Sequence, residues 1–389
     1  MLLRYSLYYC LVMITALSWS QAKATVVFNQ TIEHVESVDV RYVDGVIHLL
    51  LGKHIAGRDS VWYQASHDDG QTWSTAVNVS ASYDGQIRMA RGNDVRIAVQ
   101  GDNLIAVWMQ KIPTAKRQAG PMYMVRSSDK GKTWQTVASP ADWQGPHGFF
   151  ALDADEKRIG LVWLDSRRKV GTGATQGLRY TFSEDGGVTW SKNQTLDERS
   201  CACCWNSAQY HQNELYVIYR DKDPSDMTLG KVDQQQQWHR LNTVGDFQWQ
   251  FQGCPHIGGS IALVEQQIHA TVGTGHAEHI GSYYLRSHDL GRHWEAPVRL
   301  GDSHAVHSDI ASHDQRVTAV WDTLSAEGFE VMVATSTDAG QQWNQAKLLS
   351  ERGQEASHPR VIVTDKRQIV FWTQGLAKQP KTLVIKGIQ

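Results

Sequence analysis

Short apolar stretches recur along the whole chain, and nowhere do apolar residues keep the 3.6-residue period that an amphipathic helix requires. Seven of the stretches follow a turn, are rich in β-branched residues and often end in an aromatic residue; they are residues 47–51, 104–108, 159–163, 215–219, 268–272, 317–321 and 369–372. This composition is typical of buried strands. The regular spacing predicts seven copies of one all-β unit.

An eight-residue motif, S-x-D-x-G-x-x-W, repeats beside these strands. Five intact copies and one worn copy begin 48 to 61 residues apart, at residues 66, 127, 183, 231, 287 and 336. The worn copy keeps Asp233 and Trp238, but Gln235 replaces its glycine. Asp accepts hydrogen bonds within a turn and Gly supplies a positive φ, so each motif predicts a β-hairpin. One hairpin per unit, repeated in a ring, predicts a β-propeller.

The spacing favours seven four-stranded blades and leaves six as the alternative. Seven blades over residues 25–389 give about 52 residues each, which agrees with the motif spacing, whereas six would need about 61. The last unit lacks a hairpin motif, so its final strand, at residues 382–385, would leave an open edge. We expect a strand at residues 26–29 to pair with it and close the ring.

The first 24 residues are predicted to be a signal peptide. Arg4 precedes an apolar run at residues 7–17, and Ala22-Lys23-Ala24 has the small residues of a cleavage site. This predicts export to the periplasm or the medium, with residues 25–389 forming a single propeller domain. The apolar run is too short for a membrane span, and no later segment has the roughly 20 apolar residues that a span needs. The net charge of −2 and the absence of a basic stripe argue against nucleic acid as a partner.

Histidine and cysteine recur where the innermost strand of each predicted blade begins. This position, 14 to 17 residues before the aromatic end of the apolar stretch, has a His or Cys in six of the seven units. Thiolate and imidazole are ligands for copper and zinc. We therefore predict a soft-metal site formed by Cys201, Cys203, Cys204, Cys254, His256 and His147.

The cysteines also permit disulfides, as is usual in exported proteins. One example would join Cys254 to the loop at residues 201–204. A mixed state, with one disulfide and a free ligating or catalytic thiol, is a further alternative. The sequence leaves these three states open.

Charged residues lie at the ends of two apolar stretches, namely Asp165, Arg167, Arg220 and Asp221. Arginine and aspartate in such positions bind a sugar or an anionic substrate through bidentate hydrogen bonds. This predicts a catalytic group that acts on a small molecule or a glycan. The alternative is that these side chains form ion pairs between blades.

The repeated motif resembles the Asp-box, or BNR, repeat of the sialidase-like β-propeller superfamily. The resemblance covers nearly the whole chain after residue 24 and implies a propeller fold. It also implies a second candidate function, exo-sialidase-type hydrolysis of a sugar acid. The chain departs from sialidases in that Arg41 lies in V-R-Y-V rather than in an R-I-P motif, and no Tyr–Glu nucleophile pair can be assigned.

A more detailed resemblance is to a group of exported bacterial proteins. It rests on the segments H-G-F at residues 147–149, W-L-D-x-R at 163–167, C-x-C-C at 201–204, Y-R-D at 219–221 and G-C-P at 253–255. Three functions follow from the sequence: a metal-binding propeller, a glycoside hydrolase, or a non-catalytic scaffold stabilised by disulfides. Whether the protein is an enzyme is left open. The sequence has no nucleotide-binding loop and no haem motif, so it gives no signature of an organic cofactor.

Overall fold

A computed structural model of the chain describes residues 26–170, 173–376 and 379–388; the predicted signal peptide lies outside these ranges. Within them the chain forms strands and a single 3-10 turn, Lys116–Gln118, and no helix has the length and apolarity needed to span a bilayer. The strands are β1 (Val26–Glu33), β2 (Val35–Val43), β3 (Val46–Ile55), β4 (Arg58–Ser66), β5 (Val77–Asn78), β6 (Gln86–Arg88), β7 (Arg96–Gln100), β8 (Asn103–Lys111), β9 (Ala119–Ser127), β10 (Gln135–Val137), β11 (His147–Ala154), β12 (Ile159–Val170), β13 (Gly173–Ser183), β14 (Gln194–Asp197), β15 (Ser207–His211), β16 (Glu214–Arg220), β17 (Met227–Val232), β18 (Trp238–Val244), β19 (Gly259–Val264), β20 (Gln267–Thr274), β21 (Gly281–Ser287), β22 (Val298–Leu300), β23 (Ala305–His313), β24 (Arg316–Ser325), β25 (Gly328–Ser336), β26 (Lys347–Leu348), β27 (Ser357–Val363), β28 (Gln368–Gln374) and β29 (Thr382–Ile388).

The described strands form seven antiparallel sheets, each of which is one blade of a propeller. Blade 1 contains β2–β5, blade 2 β6–β10, blade 3 β11–β14, blade 4 β15–β18, blade 5 β19–β22 and blade 6 β23–β26. In blade 2 the innermost position is shared by β6 and β7, which both pair with β8. Blade 7 contains β27–β29 and β1. The predicted all-β propeller and its count of seven blades are confirmed.

The ring is closed by the first strand of the described chain. β1 pairs antiparallel with β29, from Val26 opposite Ile388 to Glu33 opposite Thr382. β1 thereby becomes the outer strand of blade 7 and protects the edge that β29 would otherwise expose. The predicted pairing of first and last strands is confirmed.

The apolar stretches form the second strand of each blade and supply the core between blades. Trp108, Trp163, Trp321 and Trp372 are almost fully buried at equivalent positions in four blades. Removing about 200 Å² of aromatic surface from water stabilises the fold by roughly 5 kcal/mol per residue before entropy is considered.

The Asp-box turns have the predicted local chemistry. Asp68 accepts the backbone N–H of Thr72 at 2.8 Å, and Gly70 has a φ of +81°. In the worn copy, Asp233 still accepts the N–H of Gln237 at 2.8 Å. The Asp-box turns lie beside turns that join the first two strands of blades, as in the hydrogen bond from Lys130 N–H to the carbonyl of Asp102. They are therefore at the opposite end of the propeller from the starts of the innermost strands.

A cavity of about 500 Å³ follows the propeller axis. It is lined by residues from the innermost strand of all seven blades: β2, β7, β11, β15, β19, β23 and β27. The residues that precede these strands therefore meet around one end of the axis.

Candidate functional site

The starts of the innermost strands share an unusual backbone conformation. In five blades a residue other than glycine has a φ between 43° and 64°, namely His34, Phe149, His256, His307 and His358. β-bulges lie at the same level in blades 1, 3, 6 and 7. Bulges and left-handed residues redirect side chains and are costly, so they are concentrated at functional sites. Four of the five residues are histidines, which makes this rim the candidate functional region.

The four cysteines of the described chain meet between two loops at this rim. Cys203 is bonded to Cys254, which joins the loop between β14 and β15 to the loop between β18 and β19. The Sγ atoms of Cys201 and Cys204 lie 2.7 Å apart. The sulfur atoms of Cys201, Cys203 and Cys204 all lie within 4.8 Å of one another. The disulfide between Cys254 and the 201–204 loop, one of the three alternatives left open by the sequence, is present, and two thiols remain beside it.

The two free thiols are electrostatically different. The hydrogen bond from the Cys204 thiol lowers the pKa of Cys201, whereas burial raises the pKa of Cys204 well above its usual range. The backbone N–H of Cys201 donates to the carbonyl of Arg220 at 2.9 Å, which fixes the cysteine loop against the end of β16. Phe149 packs against the buried sulfurs and covers them.

The structure separates the two histidines that were predicted as ligands. A ring nitrogen of His256 lies within 4.8 Å of the sulfurs of Cys203 and Cys254. His147 belongs to neither sulfur group among the described residues. Its Nδ1 accepts the N–H of Met122 at 3.1 Å, and burial lowers its pKa to about 4. His256 therefore lies within 4.8 Å of two sulfurs, whereas His147 is in neither of these groups of possible ligands among the described residues.

Asp165 and Arg167 form a buried ion network within blade 3. Asp165 is bound by Arg167 Nη2 at 2.7 Å, by Arg179 Nε at 3.1 Å and by Trp163 Nε1 at 2.9 Å. These hydrogen bonds, together with the positive charge of Arg167, lower the pKa of Asp165 against the opposing effect of burial. Arg167 also pairs with Asp142. Both carboxylate oxygens of Asp165 are used, which favours the structural alternative for this pair.

Arg220 is likewise occupied by the fold. Its guanidinium donates to the carbonyls of Ile257, Ser225 and Gly273 at 2.9, 2.6 and 2.7 Å. The bonds to Ile257 and Gly273 connect blade 4 to blade 5, and the bond to Ser225 lies within blade 4. Asp221 pairs with Arg240 at 2.8 Å, and burial raises its pKa. The four charged residues of the predicted group thus have separate partners: Asp165 and Arg167 bind each other in blade 3, Arg220 links blades 4 and 5, and Asp221 pairs with Arg240.

Trp205, which follows the cysteines directly, lies across the axis. Its ring centroid is 5.6 Å from that of His307 and 5.9 Å from that of His358. A Cβ built on Gly258 would lie 2.3 Å from Trp205 Nε1, and one on Gly92 would lie 3.2 Å from its Cε3. A side chain from blade 4 thus touches blades 2, 5, 6 and 7. The sequence analysis did not single out Trp205, although it is a tryptophan outside the repeated motif.

His307 and His358 form a second polar group at the same end of the axis. Their rings stack with centroids 3.7 Å apart. His307 Nδ1 lies 2.9 Å from each oxygen of Asp322, and the backbone N–H of His358 donates to Asp322 Oδ2 at 2.7 Å. Ligand atoms of these three residues lie within 4.8 Å of one another. Burial, reinforced by the charges of His307 and Arg91, lowers the pKa of His358 well below its usual range.

Two arginines complete this region, which we call the axial mouth: Arg91, Trp205, His307, Asp322, His358 and Arg360. Arg91 and Arg360 approach Asp94 at 3.5 and 3.6 Å. Arg91 also donates to the carbonyl of His358. The sequence analysis did not identify Arg91. The adjacent Gly92 has a φ of +89°, and this glycine was the feature of the sequence that could have drawn attention to Arg91.

Comparison with known proteins supports the architecture. Residues 56–267 match the family model of the BNR repeat-like domain. A search of curated proteins finds no significant match. The fold is similar to that of an ulvan lyase bound to -[GlcA(1-4)Rha3S]-, with a TM-score of 0.60 and 10% identity over 95% of this chain and 96% of that one.

Two sialidase structures are also similar. NanB sialidase from Streptococcus pneumoniae has a TM-score of 0.48 and 11% identity over 95% of this chain and 70% of that one. The intramolecular trans-sialidase from Ruminococcus gnavus has a TM-score of 0.49 and 11% identity over 92% and 94%. Because the matched family model covers more than half of the residues, the chain belongs to the BNR repeat-like domain family.

Proposed function

We propose that this chain is an exported propeller that binds a soft metal ion, copper or zinc, at its cysteine cluster. The observation that carries the proposal is the convergence of four sulfurs and the His256 imidazole from two separate loops. Export is proposed from the N-terminal sequence, and it would bring the cysteines into a compartment where both disulfides and metals are available.

The cluster has the chemistry of a soft-metal site when it is reduced. Opening the Cys203–Cys254 disulfide with a thiol reductant consumes two electrons and two protons and gives four cysteines in one place. Zinc–sulfur bonds of about 2.3 Å place the sulfurs of a tetrahedral site about 3.8 Å apart. The separations below 4.8 Å among Cys201, Cys203 and Cys204 need little adjustment to reach that arrangement.

The surroundings would stabilise bound metal. The Arg220 guanidinium contributes positive charge that favours the Cys201 thiolate. Phe149 packs against Cys201, Cys203 and Cys204, which are buried, whereas Cys254 and His256 lie on the exposed side of the cluster. Apolar surroundings on the side of these three sulfurs would strengthen thiolate ligation. Because Trp205 follows Cys204 directly, the metal would also hold the tryptophan that crosses the axis.

The test is reconstitution of protein purified without a His tag. The protein is reduced anaerobically, loaded with Zn²⁺ or Cu⁺, passed through a desalting column and analysed for metal and thiols. We expect about one metal ion per chain. Cys201→Ser should lose the metal, whereas His147→Gln should keep it.

The same experiment separates the alternatives. A protein that shows two disulfides by mass and takes up no metal after reduction would be a disulfide-stabilised scaffold, and the proposal would be wrong. The glycoside hydrolase alternative relies on Asp165, Arg167, Arg220 and Asp221. Because these side chains form hydrogen bonds and ion pairs with other residues of the protein, we base no catalytic proposal on them.

A further inference from the structure

We propose that the cysteine cluster is also a thiol–disulfide relay, through which the disulfide of a small external thiol compound oxidises two buried thiols. The thiols are those of Cys201 and Cys204, and the Cys203–Cys254 bond connects them to the surface. The relay uses the cysteines of the proposed metal site, but it operates without a metal.

The two thiols are closed off from solvent. Cys201 and Cys204 are 4% and 1% exposed, and Phe149 packs against them. Cys203, the buried end of the disulfide, is 5% exposed, whereas Cys254 is exposed. Exchange requires contact between the attacking sulfur and the sulfur attacked, so access decides which cysteine reacts. Cys254 is therefore the cysteine of this cluster that an external disulfide can reach.

Cys203 connects the buried sulfurs to the exposed one. Its Sγ lies within 4.8 Å of those of Cys201 and Cys204, and it is bonded to Cys254. Among the described residues, Cys254 shares no such group with either free thiol. Because Cys203 is common to the buried and the exposed groups, exchange between the free thiols and the surface passes through it.

The loop that carries three of the cysteines is held at both ends. The Cys201 N–H donates to the Arg220 carbonyl at 2.9 Å, and Asn206 Nδ2 donates to the Phe149 carbonyl at 2.9 Å. These anchors keep the free thiols beside the disulfide. Groups held together in this way react at a high effective concentration, which favours attack on Cys203.

The first step takes place inside the cluster. The Cys201 thiolate attacks Cys203 Sγ, a disulfide forms between these two residues, and Cys254 leaves as a thiolate that accepts the proton lost by Cys201. Cys204 is less suited to this attack, because the Cα atoms of consecutive residues lie about 3.8 Å apart, closer than the roughly 4.4–6.8 Å of ordinary disulfides. The Cys254 sulfur then attacks the external disulfide, which forms a mixed disulfide and releases one small thiol.

The remaining steps restore the original bond. Cys204 attacks Cys201, which forms a disulfide between them and frees Cys203. The freed Cys203 attacks Cys254, which restores the Cys203–Cys254 bond and releases the second small thiol. In total, the two buried thiols lose two electrons and two protons, and these convert one external disulfide into two thiols.

Mass spectrometry of the full-length mature protein tests the relay. The protein is reduced, desalted without oxygen in the presence of EDTA and then exposed to excess oxidised glutathione. We expect the unchanged protein to end with the disulfides Cys201–Cys204 and Cys203–Cys254 and with no bound glutathione. Cys204→Ser should stop at the mixed disulfide, with glutathione on Cys254. Cys201→Ser is the matched control and should acquire glutathione at least about tenfold more slowly, because it lacks the first attacking sulfur.

The relay is excluded if peptide mapping finds glutathione on Cys201 or Cys204, if Cys204→Ser acquires none, or if the two variants are modified at the same rate. Near-ultraviolet circular dichroism checks that both variants are folded. If Cys204→Ser does not fold, Cys204→Ala gives the same trapped state without burying a hydroxyl group.

Zinc uptake by the reduced unchanged protein is measured separately from glutathione mapping. A protein that binds zinc but carries glutathione on Cys201 in the Cys204→Ser variant would contradict the relay alone. A protein with glutathione on Cys254 in that variant and no zinc uptake would contradict the metal site alone. Failure of the relay and failure of the metal site therefore give different results.

Discussion

His307 Nδ1 lies 2.9 Å from both carboxylate oxygens of Asp322, and the same carboxylate accepts the backbone N–H of His358 at 2.7 Å. One buried acid thus fixes a side chain of blade 6 and the bulged backbone of blade 7. Since both histidines have a positive φ, this carboxylate helps to offset the strain at the rim.

Asp322→Asn should lower the free energy of unfolding by about 2 kcal/mol, because the amide keeps the shape but weakens two hydrogen bonds to a charged acceptor. Urea unfolding at pH 7 measures this change. Asp314→Asn is the control, since Asp314 is 83% exposed and its replacement should change stability by less than about 0.5 kcal/mol. Equal effects of the two substitutions would contradict the role assigned to Asp322.

Gly258→Ala should displace Trp205 and destabilise the protein by about 1–3 kcal/mol, because the new Cβ would lie 2.3 Å from the indole nitrogen. Tryptophan fluorescence and thermal unfolding measure the two effects. In a Trp205→Phe background the same substitution should cost less, because the smaller ring leaves space. An unchanged cost in that background would mean that Trp205 does not fill the axis.

Two buried histidines predict loss of stability in acid. His48 Nδ1 and His269 Nδ1 each lie 2.8 Å from a tyrosine hydroxyl, and burial lowers both pKa values from 6.5 to about 4. Unfolding restores the ordinary pKa, so the unfolded chain binds more protons between pH 6.5 and 4. The stability that these histidines contribute is therefore complete above pH 6.5 and is lost as the pH falls through 4, by about 3 kcal/mol for each histidine.

Urea unfolding between pH 7.5 and 4 tests this dependence. His48→Gln should retain roughly half of the acid sensitivity that the two histidines produce, because His269 still titrates. A pH profile of the variant that is the same as that of the unchanged protein would exclude His48 as a contributor.

Arg220→Lys should lower the free energy of unfolding by about 3 kcal/mol, because an ammonium group cannot serve three carbonyls in the plane of a guanidinium. Arg199→Lys provides the control, since Arg199 is 61% exposed. A catalytic role for Arg220 would produce the opposite pattern, with stability retained and an activity lost. Chemical unfolding of the two variants therefore separates the structural role from the catalytic one.

Much of the fold could be predicted because each blade repeats the same local chemistry. Asp68 and Gly70 act within one turn, and their counterparts recur in the four other intact copies of the motif. The missing strand of the last blade was enough to predict the pairing of β1 with β29. A link between Cys254 and the 201–204 loop was one of the alternatives that the sequence left open, and the structure has it together with two free thiols.

The candidate site was less accessible to prediction because it depends on contacts between distant residues. Arg220 ends an apolar strand in a position typical of a substrate-binding residue, yet its acceptors include Gly273 in the next blade. The sequence does not show whether such a side chain faces solvent or donates to a backbone carbonyl of the next blade. Arg91 and Trp205 were missed because neither lies in a recognisable motif. The contacts of Trp205 form only when side chains of five blades come together.

Metal analysis of the reduced protein tests the central claim most directly. The anaerobically reduced chain, loaded with Zn²⁺ and desalted, should carry about one zinc ion, and a folded Cys201→Ser, Cys204→Ser double variant should carry less than about a tenth of that amount. Equal zinc content in the two proteins, or no zinc in the reduced unchanged protein, would contradict the account.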